Sequence, residues 1–538
     1  MNVFDHWALG LAVFIPIGGA VLMLLIPRRE ETLLKVTALG TSLAALGVGV
    51  YLTAHFNYSH TGDLQYQVNR SWIEVIGSRY HIGIDGISLP LMLLSLFIVV
   101  ACIVYSWDHF PEPHNPKAFL ILMLVLETGM VGTFVAEDLI LFFVFFELVL
   151  LPMYFMIGVW GGPNRQYAAI KFFLFTLFGS ALMILSFLAL YFKVTVPGIG
   201  HTFDIPLLVA HGGALAQGTQ VLIFAGLFMG FAIKVPMFPF HTWLPDAHTE
   251  APTVGSVILA AVLLKLGTYG FIRIALPILP NAAHTWAPWI GLLAVIGIIY
   301  GALACLAQKD LKRLIAFSSV AHMGFVMLGI STLNSYGINA AVFGMVAHGL
   351  ITGMLFFVAG SIQERFGTRE LSRLGGLLKQ APTLGWILGF CAFASLGLPG
   401  LAGFWGEFPA ILSAYQPAAG LSLGAFRTYM VIAAIGTVFA AGYLLWMYQR
   451  TAFGNPKTEF EDAHIHDVHL PEYIAWTPML ILIVVLGLVP SVIFRVTDGP
   501  VQRVSAAFAT APTAGLTSSA SPPPSASPSP AAAPSGQP

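Results

Sequence analysis

The chain has 538 residues, of which 57% are hydrophobic and only 9% charged, with a formal net charge of −1. A soluble domain carries about a quarter charged residues, so the composition excludes one. The 24 Lys+Arg are spread too thinly to form the basic face that a nucleic acid requires.

Apolar stretches of about 20 residues mark candidate membrane-spanning helices. Fourteen are predicted, near 6–26, 33–55, 84–106, 117–136, 139–160, 168–192, 219–240, 254–276, 286–306, 311–331, 338–362, 383–412, 428–449 and 473–494. The first is followed by "IPRREE", without the small-residue cleavage site of a signal peptide, and reads as a helix of the mature chain. The expected fold is an all-α integral membrane protein, with one polytopic domain over 1–505. Residues 506–538 are rich in Ala, Pro and Ser, as in "SPPPSASPSP"; such a segment buries no core and is expected to be disordered.

Basic residues orient the spans. One set of connections carries fifteen Lys and Arg, among them Arg28, Lys117, Lys312, Arg313 and Arg369. The opposite set carries seven, among them Arg70, Arg273 and Arg503. The positive-inside rule makes the first set cytoplasmic and leaves both termini outside. Two basic residues remain that reach no predicted loop, Lys234 and Lys265.

In chain order, ionisable groups interrupt seven of the apolar runs. Glu127 lies in "LVLETGMVG", Glu147 in "LFFVFFELVLLPMYF", Lys234 in "GFAIKVPMFPF" and Lys265 in "VLLKLGTYGF". His322 follows in "SSVAHMGFVML", His348 in "GMVAHGLITGML" and Glu407 in "LAGFWGEFPAIL". A charge near the bilayer centre costs about 2.5–3.5 kcal/mol on insertion scales. A lone histidine can be a packing residue, and a Glu–Lys pair can be a neutralised structural knot. Seven such groups on seven helices point instead to a proton relay. Glu127 is the least certain member, a second carboxylate near Glu147 or a contact for a neighbouring subunit. Glu147 and Lys234 are expected within direct or one-water reach of each other.

Two predicted helices are also broken. Pro236 and Pro239 follow Lys234, and Pro399 and Gly400 precede Glu407. Proline removes a backbone donor and clashes with the preceding turn, and freed carbonyls at membrane depth must face protein or a water-filled cavity. Breaks in two halves point to a transport site. The seventh and twelfth spans are five apart and therefore antiparallel, so two inverted five-helix repeats are expected, about 117–276 and 286–449. The carbonyls freed at Lys234 are expected to hold water beside the ammonium. Low dielectric disfavours a charged amine and a nearby carboxylate restores it, so moving the Glu147 charge would switch the lysine.

The three cysteines, Cys102, Cys305 and Cys391, each stand alone in a different apolar run. That is the pattern of small buried residues, not of the grouped thiolates that hold zinc or iron–sulfur clusters. No glycine-rich phosphate fingerprint follows a strand, so no nucleotide, flavin or metal site is expected.

The stretch "KVPMFPFHTWLPDAHTEAPTVGSVILAAVLLKLGTYG" resembles the signature of the antiporter-like membrane subunits of respiratory complex I, a family related to Mrp-type cation/proton antiporters. The resemblance extends over roughly residues 80–450. Paralogous chains of that family carry lysine or glutamate on the twelfth helix, and Glu407 matches the glutamate type. The resemblance implies a fourteen-helix fold with a central hydrophilic axis. It implies Glu147 and Lys234 as a charge-coupled pair, Lys265 as the central relay, His322 and His348 as connecting groups, and Glu407 at the far exit. It further implies a proton-translocating subunit of a bacterial cytoplasmic membrane, lying among L-type and N-type antiporter-like chains. NADH, FMN, iron–sulfur clusters and quinone are then expected in partner subunits. Two other functions share the fold: a stand-alone Na⁺/H⁺ antiporter and a membrane-bound hydrogenase subunit.

Overall fold

A computed structural model of the chain describes residues 4–509. The expected disordered tail lies outside the described residues except at its start. There Ala506 ends a helix and Phe508 is buried, so the ordered chain runs a few residues past the expected boundary at 505.

Thirteen helices among the described residues are long and apolar enough to cross a membrane. They are α1 (Asp5–Leu25), α2 (Glu31–Ala54), α3 (Ser88–Tyr105), α4 (Pro116–Val135), α5 (Leu139–Trp160), α6 (Arg165–Lys193), α7 (Gln217–Lys234), α9 (Thr253–Ile278), α10 (Pro280–Leu306), α11 (Leu311–Ser331), α12 (Ser335–Phe366), α15 (Leu423–Ala452) and α16 (Leu470–Leu488). Between them lie the shorter α8 (Trp243–Glu250), α13 (Pro382–Ser395) and α14 (Ala402–Ser413), and α17 (Ser491–Ala506) ends the described chain. Polar residues in the connections start several of the helices. The side chains of Asn115, Asp138, Asp310 and Asn334 each accept from first-turn amides of α4, α5, α11 and α12, satisfying donors that a helix start leaves free.

The two broken spans are interrupted where their prolines and glycines led the sequence to expect it, and the structure departs from expectation at the last span and at a hairpin. The predicted span 219–240 stops at Lys234, and α8 resumes at Trp243. The span 383–412 is two helices, parted at 396–401, where Gly397 and Gly400 take positive φ of 79° and 94°; glycine adopts these without a Cβ penalty. The predicted span 473–494 ends at Leu488. Pro490 follows, and α17 carries Arg495, Asp498, Gln502 and Arg503, too polar a set to span. An antiparallel hairpin, β1 (Gln65–Ile73) and β2 (Ser78–Ile84), was not predicted. Its turn carries Gly77 at φ 64°.

The layering follows burial. The apolar windows of α11 and α12 are 100% buried within the chain, whereas that of α2 is only 28% buried. Helices α11 and α12 therefore form the centre and α2 lies at the edge. Backbones come close where glycines meet. A Cβ on Gly406 of α14 would lie 2.5 Å from the Gly344 Cα of α12, and that crossing brings the middle of α14 against the central pair. Overpacking such a contact costs about 1–3 kcal/mol. Gly406→Val should therefore lower the melting temperature of the purified protein by several degrees and reduce its recovery. Thermal unfolding followed by circular dichroism in detergent checks this, with the exposed Gly424→Ala as the control.

Candidate functional site

Lys265 sits at the centre, fully buried on α9. Two π-helical turns, Leu259–Leu263 and Phe271–Ala275, flank its segment of the helix. Such wide turns offset the backbone ladder and recur at functional sites. Here the Ala260 carbonyl, five residues before Lys265, accepts from the lysine Nζ at 2.5 Å. The same Nζ lies 2.7 Å from His348 Nδ1 of α12. Among the described residues no carboxylate forms an ion pair with Lys265; its close partners are a carbonyl and an imidazole.

The polar line continues through α12 into α11 and α14. The rings of His348 and His322 lie 5.9 Å apart. His322 Nδ1 meets Glu407 Oε1 at 2.5 Å, and the hydroxyls of Ser395 and Tyr443 each lie 3.1 Å from its Nε2. His348 Nε2 has no hydrogen-bond partner among the described residues. It borders a small cavity also lined by His322, Thr352, Ser395 and Glu407, with about 20 Å³ of space for water centres. That is room for about one water, with polar partners on several sides. Side chains from five elements thus converge here, because the break between α13 and α14 places Ser395 and Glu407 on opposite flanks of His322.

Glu147 and Lys234 approach but form no direct ion pair. The Glu147 carboxylate accepts from Ser180 Oγ of α6, and Lys234 Nζ lies 4.7 Å from the Phe146 ring centroid with no hydrogen-bond partner among the described residues. Each charge is within the other's electrostatic reach. Lys234 is tied to the centre by close packing of α7 on α9. A Cβ on Gly267 would meet Phe231 O at 2.7 Å and Lys234 Cβ at 3.1 Å. The broken end of α7 is satisfied by protein. Trp243 Nε1 donates to Ile233 O at 3.0 Å and the Met237 amide to Ala232 O at 2.9 Å. These two carbonyls thus have protein donors, and the buried side-chain atoms without a hydrogen-bond partner at the break, among the described residues, are Lys234 Nζ and His241 Nδ1.

Glu127 stands apart from this line. Ser42 of α2 donates to its carboxylate, 2.9 Å from each oxygen. Gly129 and Gly132 of α4 pack on Phe145 and Val149 of α5. Glu127, two residues before Gly129, therefore points away from α5 and from Glu147.

Several polar groups were missed in the sequence. Ser180, Ser395 and Tyr443 carry no motif. Lys312, counted with a loop, is buried on α11. His248 lies inside the quoted signature but passed as part of a connection. On the face that carries the hairpin, Arg273 Nη2 lies 2.7 Å from Asp85 and its Nε 3.6 Å from Glu137, while His81 meets Asp204 at 2.7 Å. Arg273 also donates to the Tyr269 hydroxyl at 3.0 Å.

Glu137, in the connection between α4 and α5, is pushed up to about 7 by burial, and Arg273 only partly offsets this. The folded chain thus holds this proton from the ordinary 4.5 to about 7, a window in which the unfolded chain has released it. Stability from this group is present below about 4.5 and is lost as pH rises through about 7. Glu137→Gln should flatten the dependence of melting temperature on pH across that window, and it should remove a protonated-carboxyl infrared band that titrates near 7.

Residues 136–433 match the NADH:quinone oxidoreductase/Mrp antiporter transmembrane family, and residues 64–133 match the amino-terminal family of NADH-ubiquinone oxidoreductase chain 4. The chain is 38% identical over 506 residues to the NADH-quinone oxidoreductase subunit M of Rickettsia bellii, covering 93% of this chain and 99% of that one. It is 39% identical over 459 residues to the F(420)H(2) dehydrogenase subunit M of Methanosarcina mazei, covering 84% and 88%. Its fold is similar to a chain of respiratory complex I from Thermus thermophilus, with a TM-score of 0.83, 28% identity, and coverage of 93% of this chain and 99% of that one.

Proposed function

Belonging to the NADH:quinone oxidoreductase/Mrp antiporter membrane-subunit family, as an NADH-quinone oxidoreductase subunit M, the chain is a proton-translocating membrane subunit of complex I, and we propose that its line of buried ionisable side chains carries the protons. The observation that supports this most is the contact of Lys265 with His348, beside His322 and Glu407. Each of these groups gains and loses a proton at a nitrogen or oxygen, one N–H or O–H bond breaking as the next forms. A proton on Lys265 passes to His348, then by way of the one-water cavity to His322, and Glu407 stabilises the imidazolium so formed. Glu147 and Lys234 act on Lys265 from the other side, through charge. A proton gained or lost at Glu147 changes the field at Lys234, and close packing at Gly267 places that change beside α9.

The redox chemistry belongs to other chains. In this reading NADH, FMN, the iron–sulfur clusters and quinone sit in partner subunits, and the energy of electron transfer arrives here as electrostatics or conformation. The relative named for F(420)H(2) supports placing donor specificity elsewhere, since similar membrane chains serve complexes with different donors. The neighbours in the membrane are L-type and N-type chains. The membrane is the bacterial inner membrane, with both termini outside. The two halves, 117–276 and 286–449, act as inverted repeats, each with one broken helix. A stand-alone Na⁺/H⁺ antiporter is the weaker reading. The central contact is nitrogen to nitrogen, which passes a proton and offers no cage of oxygens to a hard cation.

Positioned proton-transfer groups contribute roughly 10²–10⁴-fold to rate. Lys265→Ala should therefore abolish pumping through this subunit and slow coupled NADH–quinone turnover by about a hundredfold. Lys265→Arg should fail equally, since guanidinium does not release its proton in proteins. Proton uptake and NADH oxidation by the intact complex in vesicles check both, with assembly followed on native gels; full activity of the arginine variant would mean that a fixed charge suffices. Glu407→Gln, nearly isosteric, should assemble and turn over but pump fewer protons per electron. A normal ratio there would make Glu407 a structural residue.

A further inference from the structure

The line from Lys265 to Glu407 has one gap that its titratable groups do not close. His348 is engaged at Nδ1 by Lys265, and its Nε2 has no hydrogen-bond partner among the described residues. His322 is met at Nδ1 by Glu407 and at Nε2 by the hydroxyls of Ser395 and Tyr443. None of these three partners is His348, and the two rings stand 5.9 Å apart. A proton crossing between the histidines therefore needs a carrier.

The contacts of His322 decide which nitrogen receives that proton. An ionised carboxylate only accepts, so Glu407, at 2.5 Å, holds a hydrogen on Nδ1. In the neutral ring the other nitrogen is then a lone pair, and Nε2 is the one place left for an incoming proton. Two hydroxyls face that lone pair at the same 3.1 Å. They differ in what lies behind them. Ser395 borders the one-water cavity together with His348, whereas the fully buried Tyr443 of α15 lies outside its lining.

Ser395 is the last residue of α13. A Cβ on Gly403 of α14 would lie 2.1 Å from the Ala394 carbonyl, so the end of α13 sits directly on α14. Gly397, at φ 79°, turns the chain immediately afterwards, and a Cβ there would come to 3.2 Å from Glu407 Oε2. One break thus sets the serine on one ring nitrogen and leaves room for the carboxylate at the other. A hydroxyl has both a hydrogen to give and lone pairs to receive one.

We propose that the Ser395 hydroxyl carries the proton between the cavity water and His322 Nε2. This relay rests on the reading of Lys265, His348 and His322 as carriers. His348 gives its Nε2 hydrogen to the water, and the water gives one of its own to Ser395 Oγ. Ser395 in turn releases its hydroxyl hydrogen to His322 Nε2. Three bonds to hydrogen break and three form. Water and serine end neutral, His348 is left neutral, and the positive charge has moved to His322 beside Glu407. Tyr443 holds the same nitrogen from outside the cavity.

The test compares Ser395→Thr with Ser395→Val in the whole complex in vesicles. Proton uptake and NADH oxidation are read in H₂O and in D₂O, with assembly followed on native gels. Both side chains are β-branched and equally stiff, so a packing cost falls on both and only one keeps the hydroxyl. Ser395→Val should lower both rates by at least about tenfold, toward the roughly 10²–10⁴-fold of a lost transfer group. Ser395→Thr should run at least about tenfold faster than the valine variant. Equal rates in the two, with Lys265→Ala still blocking pumping, would overturn the relay. Full pumping in Lys265→Ala would instead overturn the reading beneath it. A greater loss in Tyr443→Phe than in Ser395→Val would move the transfer to the phenol and so overturn the assignment to Ser395. Where the branched variants fail to assemble, Ser395→Ala decides. A slower rate with a larger H₂O-to-D₂O ratio, as expected when proton transfer becomes the slow step, supports the relay; wild-type rates or an unchanged ratio sink it.

Discussion

An ionisable group buried in a bilayer must meet a partner able to share its proton or its field, and the contact between Lys265 and His348 meets that requirement at the centre of this molecule. Among the described residues no carboxylate forms an ion pair with this lysine. Its partners are the Ala260 carbonyl, in a π-helical turn, and one imidazole nitrogen. Within the widened stretch of α9, the central amine thus meets a carbonyl and an imidazole.

The two helix breaks serve this centre differently. At the end of α7, Trp243 and Met237 donate to two freed carbonyls, and the Lys234 ammonium is left without a hydrogen-bond partner among the described residues. Between α13 and α14 the break is used for its turn. Glycines at positive φ reverse the chain tightly enough to set Ser395 and Glu407 around one histidine. In the first case the interruption exposes a charge; in the second it gathers partners about one.

The two faces of the protein are unlike. On the hairpin face, Arg273 draws together Asp85 and Glu137 from separate parts of the chain, and α17 adds the Arg503 contact to Asp63. The Arg273 pairs tie two N-terminal segments to α9, eight residues beyond Lys265, and the Arg503 pair ties α17 to the segment before the hairpin. On the opposite face a large polar cavity reaches the walls of α8 and α11, where Lys312 and Glu250 line it. One face is thus pinned by ion pairs while the other opens into a polar cavity.

The membrane architecture, the placement of Glu147, Lys234, Lys265, His322, His348 and Glu407 within apolar helices, and both helix breaks were legible in the sequence. Each depends on local chemistry: twenty apolar residues match a bilayer, a charge within such a run stands out, and proline or glycine ends a helix wherever it falls. The hairpin was not legible, because its short strands lie in a polar connection, and neither was the end of the last span before the amphipathic α17. Which charges meet was decided only by the fold. Glu127 has the same kind of sequence setting as Glu147, yet the face of α4 that it occupies sends it to Ser42. Lys312 stands at a helix start among other basic residues, where a solvated loop was the natural reading, and the packing of α11 against α8 buries it. Serine and tyrosine partners such as Ser180, Ser395 and Tyr443 give no local signal, since a hydroxyl is inconspicuous in an apolar helix until a second helix brings a carboxylate or an imidazole against it. Sequence sets how deep a group lies because insertion free energy adds up along the chain; its partner is chosen by helix rotation and crossing, which depend on side chains hundreds of residues apart.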